Sequence, residues 1–292
     1  MTAPFTTIAQ LLRHAAIDKF DAQFILQHTL NLSRAGVIAN PDKVIDPAQA
    51  TRVQALLQRR AAGEPVAYIL GEREFYGEMF KVSPAVLIPR PETEHLVEAL
   101  LFRLSEVHAS KRPRVLDLGT GSGAIAITVK RLRPDLNVIA TDISADALQI
   151  AKANAANLNA DVAFYQGSWY EALRALDSFD AMVDTIPPKF DIIVSNPPYI
   201  ADGDKHLAEG DLRFEPAIAL SDKTPDAKGF AALQHIIDGA PKHLKKGGWL
   251  LFEHGFDQAK MAEDALKSGS FRHIFTQKDL AGCDRVSGGV WM

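Results

Sequence analysis

The sequence predicts an α/β fold: a mainly parallel sheet with helices on both faces, preceded by a small helical domain. From about residue 112 onwards, short apolar runs rich in β-branched residues alternate with segments of helical periodicity. Such alternation is typical of a parallel sheet covered by helices. Up to about residue 70, by contrast, the chain contains no convincing strand. A chain of 292 residues is long enough for both parts.

Helical periodicity dominates the first part of the chain. Its apolar residues recur at helical spacing at Ile8, Leu11, Leu12, Ala15, Ala16, Phe24, Ile25 and Leu30. Asp46 and Pro47 predict the start of another helix, since aspartate caps helix N-termini and proline is favoured at the first helical position. Residues 1–71 are therefore predicted to form a helical domain.

The pattern changes between residues 72 and 92. Aromatic and β-branched residues surround Gly77, which predicts a short β-hairpin. Two nearby prolines then exclude regular structure, and a helix is predicted to follow them. We expect 72–92 to be a hairpin linker and 93–292 a second domain. Phe75 and Tyr76 are expected to pack in a core rather than to contact substrate.

The second domain shows the alternation of strands and helices most clearly. Five strands are predicted at residues 115–118, 138–142, 162–165, 190–195 and 248–253, with two shorter candidates near 272–276 and 285–290. The helix after the first strand should end before Pro134, and Ser144 can cap the helix after the second.

A glycine-rich loop connects the first of these strands to its helix. It consists of Gly119, Thr120, Gly121, Ser122 and Gly123. Glycine allows positive φ and lets a ligand approach the backbone closely. Asp142 ends the second strand, where its carboxylate can accept hydrogen bonds from both ribose hydroxyls of an adenosine cofactor. Loop and acid together predict a nucleoside-type cofactor, and the match to G-x-G-x-x-A means that a nicotinamide cofactor must be considered.

Asn196, Pro197, Pro198 and Tyr199 follow the fourth strand directly. Neither proline can donate a backbone N–H, so the strand must end here in a stiff elbow. The elbow holds the Asn196 side chain and nearby carbonyl oxygens as acceptors, with the Tyr199 ring beside them. Such a set can bind a planar group that carries an NH2, either an amide or the exocyclic amine of a base.

The glycine loop and the elbow are expected to meet in one crevice. In the usual doubly wound order, the first and fourth strands are neighbours where the strand order reverses, and ligands bind outside their carboxyl ends. An elbow that binds an NH2 group would be superfluous in a dehydrogenase. The run D-L-G-T-G-S-G also resembles the first motif of S-adenosylmethionine-dependent methyltransferases. Both observations favour methyl transfer over hydride transfer.

Composition and charge exclude several other classes. The net charge of −4 argues against broad nucleic-acid binding, and Cys283, as the single cysteine, leaves no internal disulfide. The nine histidines show no paired spacing for metal ligands, so no metal is expected. No apolar run approaches the roughly 20 residues of a membrane span, and the N-terminus lacks the features of a signal peptide. We therefore expect a cytoplasmic protein without membrane contact.

Over nearly its whole length the chain resembles the glutamine N5-methyltransferases that modify peptide-chain release factors, the PrmC or HemK family. The motifs that carry this resemblance are G-E-R-E-F at 71–75, L-I-P-R-P-E-T-E at 87–94, D-L-G-T-G-S-G at 117–123, N-P-P-Y at 196–199, R-F-E-P at 213–216, E-H-G at 253–255 and D-R-V at 284–286. The form I-P-R-P-E-T-E resembles the release-factor branch rather than the branch that methylates a ribosomal protein.

This resemblance implies a Rossmann-like seven-stranded methyltransferase sheet whose last strand is antiparallel. It also implies a small all-helical N-terminal domain that helps to recognise the protein substrate, joined through the β-hairpin linker. The implied reaction transfers a methyl group from S-adenosyl-L-methionine to the side-chain nitrogen N5 of the glutamine in the GGQ motif of release factors. The expected partner is thus a release factor, with no direct nucleic acid, and we expect a monomer.

The elbow would supply the catalytic and substrate-binding residues of this reaction. The Asn196 side-chain oxygen and the Pro197 carbonyl would each accept one N–H of the glutamine amide. Tyr199 would pack against the amide plane, and Pro198 would complete the substrate site. The cofactor would be held by the glycine loop, Asp142, Trp169 and Asn196.

The sequence departs from the family pattern in two places. Relatives commonly have an aspartate before the tryptophan that matches Trp169, where it can bond the adenine amine; this chain has Ser168. Trp169 can still cover the adenine ring, so cofactor binding is expected to persist without that contact. Residues 172–189 also form a longer link into the fourth strand than is usual, and we interpret them as a surface insertion.

Alternatives remain for the function and for several residues. An adenine-N6 methyltransferase uses a similar elbow, but it generally adds a basic groove or a domain for base flipping. A non-catalytic cofactor-binding protein would keep the glycine loop and should have lost the elbow. Arg90 and Glu92 either border the cofactor pocket or brace the linker. Glu253 and His254 either border the crevice or serve the structure, and Cys283 is expected to be an ordinary thiol.

Overall fold

The computed structural model describes residues 6–106, 112–174, 189–221, 223–224 and 228–292. The chain divides into two compact units, Met1–Glu72 and Arg73–Met292. Each unit has a hydrophobic core of its own, and each is described separately below.

Five helices build the part of the first unit that the structure describes, which begins at residue 6. They are α1 (Ile8–His14), α2 (Lys19–Leu30), α3 (Arg34–Ala39), α4 (Pro47–Ala61) and α5 (Val66–Leu70). Ile8, Ile25 and Leu26 are completely buried in its core. The start of α4 lies where the sequence predicts it: the Asp46 side chain accepts hydrogen bonds from the first turn, and Pro47 is the first helical residue.

One feature of this unit departs from the all-helical expectation. Strands β1 (Thr6–Thr7) and β2 (Val44–Ile45) form a small antiparallel ladder. Each strand has two residues, which is too short to produce the alternation of apolar and polar side chains by which strands are recognised in a sequence.

The predicted hairpin is present and packs within the second unit. Strands β3 (Glu72–Phe75) and β4 (Glu78–Lys81) are joined by Tyr76 and Gly77, which have φ values of +52° and +79°. Positive φ at both central residues is the geometry of a tight type I′ hairpin. The Phe75 and Phe80 rings, at 1% and 0% exposure, lie in the core of the second unit, as expected for Phe75.

A seven-stranded sheet forms the centre of the second unit. Its strands are β5 (Arg114–Leu118), β6 (Asn137–Asp142), β7 (Val162–Gln166), β8 (Phe190–Ser195), β9 (Leu244–Glu253), β10 (Phe271–Lys278) and β11 (Asp284–Trp291). They lie in the order β10-β11-β9-β8-β5-β6-β7. The last strand, β11, runs antiparallel to both of its neighbours, whereas the pairs from β9 to β7 are parallel. This topology confirms the predicted fold class.

Helices cover both faces of this sheet. They are α6 (Glu94–Leu104), α7 (Ala124–Leu132), α8 (Ala145–Asn157), α9 (Ala217–Leu220), α10 (Ala231–Gly239) and α11 (Ala259–Ser268). Alternate residues of β8 belong to different cores: Ile192 and Val194 pack in the cluster with α6 and α7, and Ile193 packs in the cluster with α10 and α11. Burial on both faces explains why this strand contains the continuous apolar run Ile192, Ile193 and Val194.

Three strands near the C-terminus are longer than the sequence predicts. Strand β9 begins at Leu244 rather than residue 248, and β10 and β11 have eight residues each. The early part of β9 is polar, contains Gly247 at φ +78°, and pairs with β8 across a register shift. A bulge of this kind interrupts the periodicity that marks a strand.

None of the helices among the described residues is long and apolar enough to cross a membrane.

Candidate active site

A cavity of about 280 Å³ lies at the carboxyl ends of β5, β6 and β8. Eight of the residues predicted to bind cofactor or substrate line it: Gly119, Thr120, Gly121, Ser122, Asp142, Trp169, Asn196 and Pro198. Strands β5 and β8 are neighbours, as the doubly wound order requires, so the glycine loop and the elbow reach the same cavity from distant parts of the sequence.

The glycine loop takes the backbone conformation for which its composition is suited. Gly119 and Gly121 have φ values of +71° and +56°, a region that residues with a β-carbon rarely adopt. The Gly121 N–H donates to Asp142 Oδ2 over 2.9 Å, and the Ser144 N–H donates to Oδ1 of the same carboxylate, also over 2.9 Å. Asp142 therefore joins the glycine loop to the start of α8. Burial raises the pKa of Asp142, and these two backbone donors oppose the shift.

Gly123, Pro197 and Tyr199 do not occur among the described residues that line the cavity. A β-carbon on Gly123 would lie 2.5 Å from the Ile127 side chain and 3.3 Å from that of Ala151, so this glycine permits close packing between α7 and α8. Pro197 is buried. The partly buried Tyr199 ring packs against the core that contains α10 and α11.

Asp117 precedes the glycine loop and is completely buried at the end of β5. The Thr120 hydroxyl donates to its Oδ2 over 2.6 Å, which holds the loop against the strand. Burial raises the pKa of Asp117 to about 7, although the Thr120 hydroxyl opposes that shift. The carboxyl group is therefore protonated more readily in the folded chain than in the unfolded one.

This pKa gives an expected pH dependence of stability. Because the pKa is raised on folding, the folded state binds the proton more tightly, and the Asp117 contribution is lost as the pH rises from about 4 to about 7. Asp117→Asn removes this titration. The free energy of unfolding of the wild type, relative to the variant, should fall over that window by at most about 4 kcal/mol and then level off. Urea unfolding at a series of pH values measures the difference; a constant difference would contradict the assignment.

Trp169 has a backbone conformation unusual for its residue type. Its φ of +45° lies in the left-handed region, at the start of a 3-10 turn (Trp169–Leu173) after β7. The ring atom Cζ3 lies 3.5 Å from the position that a β-carbon on Gly119 would occupy. A strained residue of this kind is held by its surroundings and is frequent at ligand sites. Ser168 also lines the cavity.

Hydrogen bonds hold the elbow at Ser195, directly before it, and at its first and last residues. The Ser195 hydroxyl donates to the Leu118 carbonyl over 2.7 Å, which ties β8 to β5 where the elbow begins. Asn196 Nδ2 donates to Thr93 Oγ1 over 3.0 Å. The Tyr199 carbonyl accepts from Gln258 Nε2 over 3.0 Å. Contacts from three separate parts of the chain thus fix the elbow.

The Glu253 side chain connects Thr93 with Tyr199 of the elbow. It ends β9 and is 1% exposed. Its Oε2 accepts from the Thr93 hydroxyl over 2.6 Å, and its Oε1 accepts from the Tyr199 hydroxyl over 3.1 Å. Burial raises the pKa of Glu253, while these two donors and the charge of Arg285 oppose the rise. Thr93 lines the cavity, and Glu253 lies directly behind Thr93.

Arg90 both lines the cavity and forms a partly buried ion pair with Glu215. The Glu215 side chain is fully buried, and its Oε2 also accepts the Ile88 N–H over 3.1 Å. This pair joins the I-P-R-P and R-F-E-P motifs, whose proximity the sequence could not show. Arg90 therefore borders the pocket and also braces the linker, so both interpretations of this residue apply. Glu92 is not among the described lining residues.

Asn154 is a supporting residue that sequence reasoning missed. From within α8, its Nδ2 donates to the carbonyls of Lys81 and Ser122 over 3.0 and 2.9 Å, and its Oδ1 accepts the Lys81 N–H over 2.7 Å. One buried amide therefore couples the hairpin to the glycine loop. No local pattern marks it, because both partners are distant in sequence.

The remaining candidates from the sequence are His254, Cys283 and the segment 172–189. His254 is completely buried: its Nδ1 donates to the Gly255 carbonyl over 2.7 Å, and its Nε2 pairs with the Ser287 hydroxyl over 2.8 Å. Cys283 is a free thiol of intermediate exposure. Most of the expected insertion at 172–189 lies outside the described residues. Within the described ranges, no group of three or more His, Cys, Asp or Glu side chains is arranged to hold a metal ion.

Comparison with known proteins places this geometry in a family. Residues 5–71 match the model of the PrmC N-terminal domain, and residues 109–281 match a methyltransferase domain. A release factor glutamine methyltransferase of Bordetella pertussis is 46% identical over 97% of this chain and 99% of its own. One of Neisseria gonorrhoeae is 47% identical over 98% of both chains. The chain belongs to the release factor glutamine methyltransferases. It is therefore a methyltransferase, and the cavity described above is the candidate site of methyl transfer.

A solved structure agrees with this family at the level of the fold. The 16S rRNA N2 G1207 methyltransferase of T. thermophilus, in complex with AdoMet and guanosine, is 20% identical to this chain. The two superpose with a TM-score of 0.51 over 76% of this chain and 50% of that one. At this level of identity the likeness concerns the sheet and its helices and extends no further.

Proposed function

We propose that this enzyme binds S-adenosyl-L-methionine in the cavity and transfers its methyl group to N5 of a glutamine side chain in a release factor, within the GGQ motif. The observation that carries the proposal is the convergence of the glycine loop, Asp142 and Asn196 on one cavity. Relatives over nearly the full length are named for methylating release factor glutamine, which supports the same substrate.

The residues of the cavity fit this cofactor. A β-carbon on Gly121 would meet nothing within 4 Å, so the loop leaves open space for a ligand at its backbone. The Asp142 oxygens accept one backbone N–H each and retain lone pairs for the two ribose hydroxyls. The Trp169 ring offers an apolar face for adenine. When bound, S-adenosylmethionine supplies an electrophilic methyl group on a sulfonium sulfur.

Asn196 and Pro197 orient the glutamine amide. An amide nitrogen is a poor nucleophile because its lone pair is delocalised into the carbonyl. With Nδ2 committed to Thr93, the Asn196 Oδ1 is the atom that accepts one N–H of the substrate, and the Pro197 carbonyl accepts the other. The two acceptors aim the nitrogen along the line of transfer. Such alignment can lower the barrier by several kcal/mol, up to about 7–11.

The substrate chemistry has a direct test. Radiolabelled methyl transfer is measured to a release factor and to its Gln→Glu variant, with the same enzyme preparation. A glutamate offers no NH2, so both acceptors would remain unpaired, a penalty that reaches about 10⁴-fold in sites of this type. We expect labelling of the glutamine protein and background labelling of the variant. Equal labelling of both would reject the amide site.

The adenine-N6 alternative predicts a different acceptor. Methyl transfer to DNA or RNA containing unpaired adenine should remain at background in the same assay, because the chain carries a net charge of −4 and lacks a basic cluster in its sequence. Cytoplasmic location and a monomeric state stay predictions from the sequence.

A further inference from the structure

We infer that Glu253 and Thr93 are positioning residues for the reaction: together they set which end of the Asn196 amide faces the substrate. This inference rests on the proposed function, since it concerns how Asn196 presents its acceptor oxygen. The three side chains form a chain of hydrogen bonds from the buried end of β9 to the cavity, of 2.6 Å between Glu253 and Thr93 and 3.0 Å between Thr93 and Asn196.

The direction of this chain follows from which groups can donate. The Thr93 hydroxyl has a single proton, which it donates to Glu253 Oε2. The Thr93 oxygen is then an acceptor towards Asn196. Of the two ends of the Asn196 amide, only Nδ2 can donate to it. The carboxylate therefore dictates, through one hydroxyl, that Oδ1 is turned away from Thr93.

The orientation matters because the two ends of an asparagine amide are nearly the same in shape and opposite in chemistry. With Oδ1 towards the substrate, the site accepts from an NH2 group, as a glutamine requires. With Nδ2 in its place, the site would donate, and a glutamate oxygen would satisfy it better. The hydrogen-bond chain thus determines the preference for glutamine over glutamate as well as the alignment of the nitrogen.

The Thr93 hydroxyl does not serve as a helix cap. Thr93 occupies the N-cap position of α6, where threonine usually accepts a hydrogen bond from the first helical turn, yet its side chain makes no such bond. Its φ of −67° and ψ of −19° are already helical, and the residue is 4% exposed. The hydroxyl is instead used between Glu253 and Asn196.

Glu253 acts on the elbow at a second point. Its other oxygen, Oε1, accepts from the Tyr199 hydroxyl, so one carboxylate holds both the first and the last residue of the elbow. Both of its oxygens therefore have donors, which is the condition for keeping a buried carboxylate without an orphaned acceptor. An apolar residue at 253 would remove the acceptor that fixes the direction of the Thr93 hydroxyl.

The test uses the full-length enzyme and two acceptor proteins, a release factor and its Gln→Glu variant. Thr93→Val removes the hydroxyl at nearly constant volume, and Thr93→Ser retains it. For each enzyme we would measure kcat for methyl transfer to the glutamine protein, KM for that protein and for the cofactor, and Kd for both acceptor proteins in the presence of S-adenosylhomocysteine. Thermal unfolding of each variant monitors the fold.

For Thr93→Val we expect kcat to fall about 10- to 100-fold, as for misalignment of a reacting group, with KM for the cofactor nearly unchanged. The ratio of the two Kd values, which favours glutamine in the wild type, should shrink at least about tenfold. The reason is that the Asn196 side-chain amide can now rotate and present Nδ2 instead of Oδ1 to the substrate. Thr93→Ser should restore both quantities most of the way. A purely structural role for Thr93 would not change the Kd ratio.

Glu253→Leu provides a second variant if Thr93→Val does not fold. This substitution removes both acceptor oxygens, so the Thr93 hydroxyl is free to donate towards Asn196, and kcat and the Kd ratio should fall in the same way. Wild-type values in a folded Thr93→Val or Glu253→Leu enzyme, or equal losses in Thr93→Val and Thr93→Ser, would overturn the inference. If the wild-type enzyme itself does not label the release factor, the proposed function fails instead.

Discussion

Asn196→Ala is expected to lower kcat/KM for methylation of a release factor by about a hundredfold or more. The variant removes the side-chain acceptor that aligns the substrate nitrogen, while the Pro197 carbonyl remains. It also leaves the Thr93 hydroxyl without its donor. Steady-state kinetics with radiolabelled cofactor measure the loss, and calorimetric titration with S-adenosylmethionine should show a change in Kd below about tenfold, because the glycine loop and Asp142 are intact.

A matched control for this variant lies elsewhere in the same unit. Asn157→Ala removes the same side chain from the exposed C-terminal end of α8, away from the cavity-lining residues. It should keep wild-type kinetics. Wild-type kcat/KM in Asn196→Ala would show that the elbow acts through its backbone alone.

Asp142→Ala is expected to weaken cofactor binding by about a hundredfold or more. The carboxylate holds Gly121 and Ser144 through two backbone N–H groups and, in the proposed site, also accepts from two ribose hydroxyls. Hydrogen bonds to charged groups contribute about 1.5–3 kcal/mol each, so loss of even one ribose contact and of the loop geometry reaches this size. Calorimetric titration with S-adenosylmethionine gives the change in Kd.

Asp146→Ala is the control for this second variant. Asp146 is an exposed acid in the first turn of α8, four residues beyond Asp142, and its removal makes the same change in net charge. Its cofactor Kd should match that of the wild type. If Asp142→Ala binds S-adenosylmethionine as tightly as Asp146→Ala does, the ribose role of Asp142 is rejected.

Most of the fold could be predicted because its signals are local. Short apolar runs mark β5, β6 and β8, since strands buried on both faces need apolar side chains at most positions. The turn at Tyr76-Gly77 and the helix start at Asp46-Pro47 follow from conformational preferences of single residues. The prediction was less accurate for the ladder of β1 with β2 and for the start of β9. There, two-residue strands and a bulge leave no periodic pattern.

The candidate site also combines features that the sequence shows with contacts that it does not show. The residues that touch the cavity come from motifs that the sequence displays as short runs, such as the glycine loop and the elbow. The hydrogen bonds and ion pairs that orient the site, by contrast, join distant parts of the chain. Asn154 bonds to Lys81 from 73 residues away, and Arg90 pairs with Glu215 from 125 residues away. No run of neighbouring residues could reveal these contacts.

By itself, the sequence determined the class of fold, the loop suited to a nucleoside cofactor and the elbow suited to an NH2 group, because glycine, proline and apolar periodicity act through local backbone chemistry. Only the tertiary structure decided what holds the elbow in its working orientation. Thr93 bonds to Asn196 from 103 residues away and to Glu253 from 160 residues away. The polarity of such a hydrogen-bond chain depends on which donors and acceptors the folded sheet brings within about 3 Å of each other.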